Sequence, residues 1–252
     1  MIICKNAVYL DVQKTGSDFT HKALRQICNN VGYEKHQPNK ILRPDRLYYA
    51  NKRNPWDYYV SMWSYDRRGS KGPLINRLIK AGHSGVQLKK DFNYFVKAMY
   101  DDIDYYGQED YDPLLQHKYW SNFDGFGIQS FRMALFFDLS QAKIKRTNAE
   151  ARKYFRNHIL NRDNVVFLEQ EHLAKELQKL ILDNSNYFNL KDNYKSFLES
   201  LVQRCGDGKW RNLNLNNVTR NDNDYRSFYK YEAYKMVAER EEMMIEEFGY
   251  EF

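Results

Sequence analysis

Short apolar runs alternate with longer amphipathic stretches along this chain. The opening stretch IICKNAVYLDV leads straight into a strand, with its first clear run at Ala7–Val12. From about Ser17 to Asn30, Phe19, Ala23, Leu24, Ile27 and Cys28 fall on one stripe, which predicts a helix. Leu47–Ala50 predicts a second strand. Behind it, Asn54-Pro55-x-Asp57 reads as the N-cap, N1 proline and N3 acid of a helix running to about Tyr65. A strand over Gly127–Phe137 is compatible with the pattern, which is ambiguous there. Val165–Leu168 predicts another strand, and Leu173, Leu177, Leu180 and Ile181 share one face of the helix after it. Tyr229, Ala233, Met236, Val237, Met244 and Phe248 form the stripe of a long final helix, from about Tyr225 to Phe248, with Gly249 near its C-cap. Strands alternating with helices predict an α/β fold with a central, mainly parallel sheet covered on both faces.

Two segments stand apart from this pattern. Residues 66–91 are basic and glycine-containing, and residues 101–112 are acidic and tyrosine-rich. Both read as surface insertions, where specificity often resides. The chain has 252 residues, enough for one sizeable domain or at most two small ones; it is taken as a single domain over 1–252 with insertions at about 66–160. The formal net charge of +6 favours anionic partners. Cys4, Cys28 and Cys205 are odd in number and lack a CxxC pair, so they read as buried or incidental thiols in a reducing compartment in preference to a disulfide framework. No metal-ligand spacing occurs. No run approaches the ~20 apolar residues of a membrane span, and no signal peptide is evident, which predicts a soluble, cytoplasmic-type protein.

The chemistry begins at Lys14-Thr15-Gly16-Ser17. A short turn between a strand and a helix aims backbone N–H groups outward at the helix start, where the dipole favours phosphate or sulfate. Gly16 allows close backbone approach, Ser17 adds a hydroxyl donor and Lys14 a mobile charge. The nucleotide-triphosphatase loop GxxxxGK[ST] is absent. A second element, RNPWDYYVS, places Arg53 at the end of a strand and Ser61 in the following helix. A guanidinium and a hydroxyl so spaced can converge on one phosphate.

Taken together, strand–KTGS–helix followed by strand–RNPWDxxVS–helix resembles the sulfotransferases that use 3′-phosphoadenosine 5′-phosphosulfate (PAPS). The likeness is to the carbohydrate branch, with its heparan and chondroitin-type enzymes. NVVFLEQEHLAKEL at 164–177 is similar to that family's late strand and helix, and the stretch from 217 to the EEFGYEF ending to its C-terminal helix. The middle, about 66–160, matches no part of it. The resemblance implies a P-loop-like three-layer fold. It implies that Lys14 meets the bridge between phosphate and sulfate, and that Thr15, Gly16 and Ser17 hold the 5′-phosphate. Arg53 and Ser61 would hold the 3′-phosphate, and Phe19 would lie near the adenine, although Phe19 also fits the buried stripe. Gln13 stands where the family commonly has proline, and Asp18 where it has a small hydroxyl residue. Asp18 is expected to point away from the ligand.

Sulfuryl transfer to an alcohol needs a base beside the nucleophile and positive charge at the leaving group. The resemblance places a histidine-containing segment between the two nucleotide motifs, and His36 fits that slot as the base. His117 is a second candidate, for binding the acceptor. The reaction so implied moves a sulfuryl group from PAPS to a hydroxyl of a carbohydrate, leaves adenosine 3′,5′-bisphosphate, and needs no metal and no nucleic acid. The rivals are a polyanion- or nucleic-acid-binding module and a P-loop-type kinase. The kinase lacks both its triphosphate loop and acidic magnesium ligands.

Overall fold

The computed structural model describes residues 1–34, 37–68, 73–102, 125–142, 144–205 and 224–252. In chain order its elements are β1 (Ile2–Cys4), β2 (Ala7–Leu10), α1 (Ser17–Ile27), β3 (Gly32–Tyr33), β4 (Leu47–Lys52), α2 (Pro55–Asp66), α3 (Pro73–Lys80), α4 (Gly85–Lys90), α5 (Phe92–Asp101) and α6 (Ile128–Phe137). There follow α7 (Leu139–Ala142), α8 (Asn148–Phe155), β5 (Val165–Glu169), α9 (Leu173–Asp183), α10 (Tyr194–Cys205), α11 (Tyr231–Arg240) and α12 (Glu242–Phe248). The chain divides into two compact units. One comprises Met1–Arg53, Met133–Gln141 and Tyr154–Val218; the other comprises Asn54–Arg132, Ala142–Lys153 and Thr219–Phe252. Among the described residues no helix is long and apolar enough to cross a membrane.

The first unit is α/β. Its five-stranded sheet has the order β3-β1-β2-β4-β5. β2, β4 and β5 run parallel, whereas β1 is antiparallel to both β2 and β3. The sheet is therefore mixed, not mainly parallel. The exposed Lys5-Asn6 pair interrupts the opening apolar run and turns it into a hairpin, with Lys5 at φ 57°. Both β2 and β4 are buried along their whole length, so they read in sequence as continuous runs without alternation.

Side chains on one sheet face, among them Ala7, Tyr9, Leu47, Tyr49 and Leu168, pack with Leu24 and Ile27 of α1, Leu177 and Ile181 of α9 and Leu198 of α10. On the other face Phe167 meets Phe137 at 5.0 Å and Phe155 at 6.2 Å between ring centroids. The three cysteines are buried and free. A hydrogen bond between Cys4 and Cys28, reinforced by burial, pushes the Cys28 thiol far above its ordinary pKa.

The second unit is helical. Asn54 caps α2 as its sequence predicts, accepting from Trp56 N and Asp57 N ahead of Pro55. Three sequence expectations change here. The segment over Gly127–Phe137 is the helix α6, whose flanks are buried nearly all round, so periodicity could not separate it from a strand. The segment 66–91 contains α3 and α4, whose Leu74, Ile75, Leu78 and Leu88 are buried, so this part is packed structure and not a surface loop. Asp66 holds the start of α3 by accepting from Leu74 N and Ile75 N.

The long final helix is a 3₁₀ turn at Tyr225–Phe228, then α11, then α12, with Glu241 between the two α-helices at φ −102° and ψ 17°. Glu241 is fully buried and caps α6 from afar. Its carboxylate accepts from Gln129 N, Ser130 N, Ser130 Oγ and Tyr59 Oη. Gly249 closes α12 in the left-handed region, as expected of a C-cap glycine.

Candidate anion-binding site

The turn after β2 leaves the carboxyl end of a parallel strand, where open α/β sheets place their ligands. Its backbone reverses hand twice. Lys14 has φ 66° and Gly16 has φ 94°, with Thr15 between them outside that region. For glycine this conformation is free; for lysine it costs about 1–2 kcal/mol. A turn that alternates in this way directs successive N–H groups into one concavity, the geometry of an anion nest. Gly16 is also the N-cap of α1 and supplies no side-chain capping bond. Its carbonyl accepts from Phe19 N at 3.1 Å and Thr20 N at 3.4 Å, which starts the helix directly beyond the turn.

Three hydrogen bonds fix this turn on the sheet. Thr15, fully buried, donates from Oγ1 to the Val12 carbonyl at 2.8 Å. Asn51 of β4 donates from Nδ2 to Thr20 Oγ1 of α1 at 3.0 Å. Arg53, just past β4, donates from Nη1 to the Lys14 carbonyl at 2.8 Å. Next to it, Lys52 pairs with Glu169 at the end of β5, at 2.9 Å. Cationic groups thus gather at the ends of β2 and β4. Tyr9 of β2 is fully buried, and burial, aided by the charge of Asp11, raises its phenol well above the ordinary value. His21 stacks on Tyr33 at 4.1 Å, and burial and then Arg25 lower its pKa, so it favours the neutral form.

The first unit brings together Lys14, Thr15, Gly16, Ser17 and Arg53 from the sequence-selected set. Lys14, Gly16 and Ser17 are partly exposed, and Asp18 is exposed. Phe19 is buried in the apolar cluster, as its place on the stripe requires. Ser61 is buried in α2 of the second unit. His36 and His117 lie outside the described residues.

Sequence reasoning passed over three features and missed the burial of a fourth. Lys52 gave no motif. Gln13, noted in sequence only as standing where the resembled family has proline, is buried, and among the described residues both polar atoms of its carboxamide lack a partner. His83 has Asp102 at one ring nitrogen and Tyr94 Oη at 3.3 Å from the other. These partners come from α5 and its C-cap, 11 and 19 residues further on, so local sequence could not reveal them. The last is Arg132, a buried arginine on α6. Among the described residues, no group of three or more His, Cys, Asp or Glu is placed to hold a metal ion.

No family model, curated protein or solved structure matches the chain.

Proposed function

We propose that the chain is a PAPS-dependent sulfotransferase with a P-loop-like fold, acting on a hydroxyl group of a carbohydrate. One observation carries this reading. Two sequence elements 39 residues apart, the KTGS turn and Arg53, meet through a hydrogen bond at the carboxyl ends of adjacent parallel strands. A polarised turn with a lysine and an arginine in one place suits a ligand with more than one phosphate-like group.

In this reading the nest N–H groups and Ser17 hold the 5′-phosphate, and Arg53 serves the 3′-phosphate. The sulfur leaves the bridging phosphate oxygen as the acceptor oxygen bonds to it in line. His36 takes the acceptor's proton. Lys14 stabilises the negative charge that stays on the bridging oxygen. The products are a sulfate ester and adenosine 3′,5′-bisphosphate, and the steps invoke no metal. The net charge of +6 suits an acceptor that is itself anionic.

The test is transfer of labelled sulfate from PAPS to a panel of glycans and small alcohols. Labelled ester on at least one glycan, lost in Lys14→Ala, supports the reading. No transfer to any acceptor, with PAPS left intact, contradicts it.

A further inference from the structure

Arg132 in α6 is 3 % exposed. Its Nη1 donates to Tyr58 Oη at 2.5 Å, and its buried Nε has no partner. Among the described residues no carboxylate lies within ion-pair distance of it. Buried arginine is rare without a counter-charge, because a desolvated cation opposite a neutral phenol recovers little of what it loses on leaving water. Folding alone gives no reason to keep such a group, since an apolar residue of similar volume would serve the core better. Ser61 lies three residues beyond Tyr58, on the same face of α2, and is buried too. Among the described residues, the second unit therefore places a guanidinium with no carboxylate partner against a helix face that carries two hydroxyl groups.

We propose that Arg132 binds an oxyanion, a phosphate or sulfate ester, with the hydroxyl-bearing face of α2 beside it. The planar fork of arginine matches the spacing of two such oxygens, and a buried guanidinium holds them more strongly than an exposed one. This goes beyond the sulfotransferase reading and does not depend on it. Two sources share the chemistry: a nucleotide phosphate and a sulfate already present on a glycan.

The experiment measures binding to the full chain of three probes at matched ionic strength: inorganic sulfate against chloride, adenosine 3′,5′-bisphosphate, and a heparin-derived hexasaccharide. Wild type is compared with Arg132→Gln. The expected result is a loss of at least tenfold in affinity for sulfate and for one larger probe. If that probe is the bisphosphate, the anion belongs to the nucleotide; if the hexasaccharide, it belongs to the acceptor. Equal affinity of the two proteins for all three probes overturns the proposal. Should Arg132→Gln fail to fold, Arg132→Lys keeps the charge and loses the fork. An affinity reduced at least threefold is then expected, and an unchanged one counts against the proposal. A wild type that ignores the bisphosphate, while Arg132→Gln still loses sulfate, leaves this inference standing and removes the nucleotide reading.

Discussion

Arg53 and Lys14 are joined by a 2.8 Å hydrogen bond from the guanidinium Nη1 to the lysine's backbone carbonyl. The left-handed conformation at Lys14 sets the direction of that carbonyl, so the strain at one residue and the charge of the other are parts of one arrangement. Arg53 is 7 % exposed and so is held in place by its surroundings as well as by this bond. Replacing it with alanine removes a charge-assisted bond worth about 1.5–3 kcal/mol and loosens the turn. Arg53→Ala is expected to bind adenosine 3′,5′-bisphosphate at least tenfold more weakly in calorimetric titration. Unchanged affinity would detach Arg53 from the ligand.

Lys14 combines a charge with an unfavourable backbone, and two substitutions separate them. Lys14→Ala keeps the backbone cost and removes the charge. Turnover should fall by at least about 100-fold, with a smaller loss in donor binding, as expected of a group acting chiefly in the transition state. Lys14→Gly also removes the charge but relieves the left-handed cost, so it should unfold at higher urea than Lys14→Ala, by about 1 kcal/mol. If the two variants are equally stable, φ at this position carries no strain.

Much of this was legible in the chain, for local reasons. The cap at Asn54, the C-cap at Gly249, the strands β2, β4 and β5 and the helices α1, α2 and α9 each depend on neighbours within a few residues. The hairpin of β1 and β2 turned on two polar residues inside a run that otherwise reads as one strand. α6 was ambiguous because it is buried nearly all round, and its cap comes from Glu241, more than 100 positions away. The break between α11 and α12 falls at that same residue. Its inward carboxylate serves another helix, and an amphipathic stripe carries no mark of that. The KTGS turn could be found as a motif; its meeting with Arg53 needed the pairing of β2 with β4. That no carboxylate among the described residues pairs with Arg132 could be seen only once its surroundings were known.

Glu241 yields a prediction in pH. Burial raises its carboxyl pKa, and the four hydrogen bonds it accepts only partly oppose this. A carboxyl with a raised pKa in the folded state holds its proton where the unfolded chain has released it. Its contribution to stability is therefore greatest at or below the ordinary carboxylate range and declines as pH rises toward the folded value. Urea midpoints of the wild type should fall over that window, and in Glu241→Gln this part of the slope should vanish, although the variant is less stable overall. An identical slope in both proteins would assign the pH dependence elsewhere. The same pocket explains Gly127. A Cβ there would lie 2.2 Å from Glu241 Oε1, so Gly127→Ala should cost more than about 2 kcal/mol.

His36 is assigned the base by resemblance, and its substitution separates chemistry from binding. His36→Ala should lose most turnover while adenosine 3′,5′-bisphosphate binds as before. Activity close to that of wild type would place the base on another residue, with His117 the next to examine.

The central claim is that one doubly phosphorylated adenosine is the ligand of the turn and Arg53. Thermal unfolding in the presence of adenosine 3′,5′-bisphosphate, adenosine 5′-phosphate, ATP or an oligonucleotide tests it most directly. The account predicts a clear rise in melting temperature with the bisphosphate, little with the other three, and loss of that rise in Arg53→Ala. An equal response to all four, or a larger one to the oligonucleotide, would contradict it.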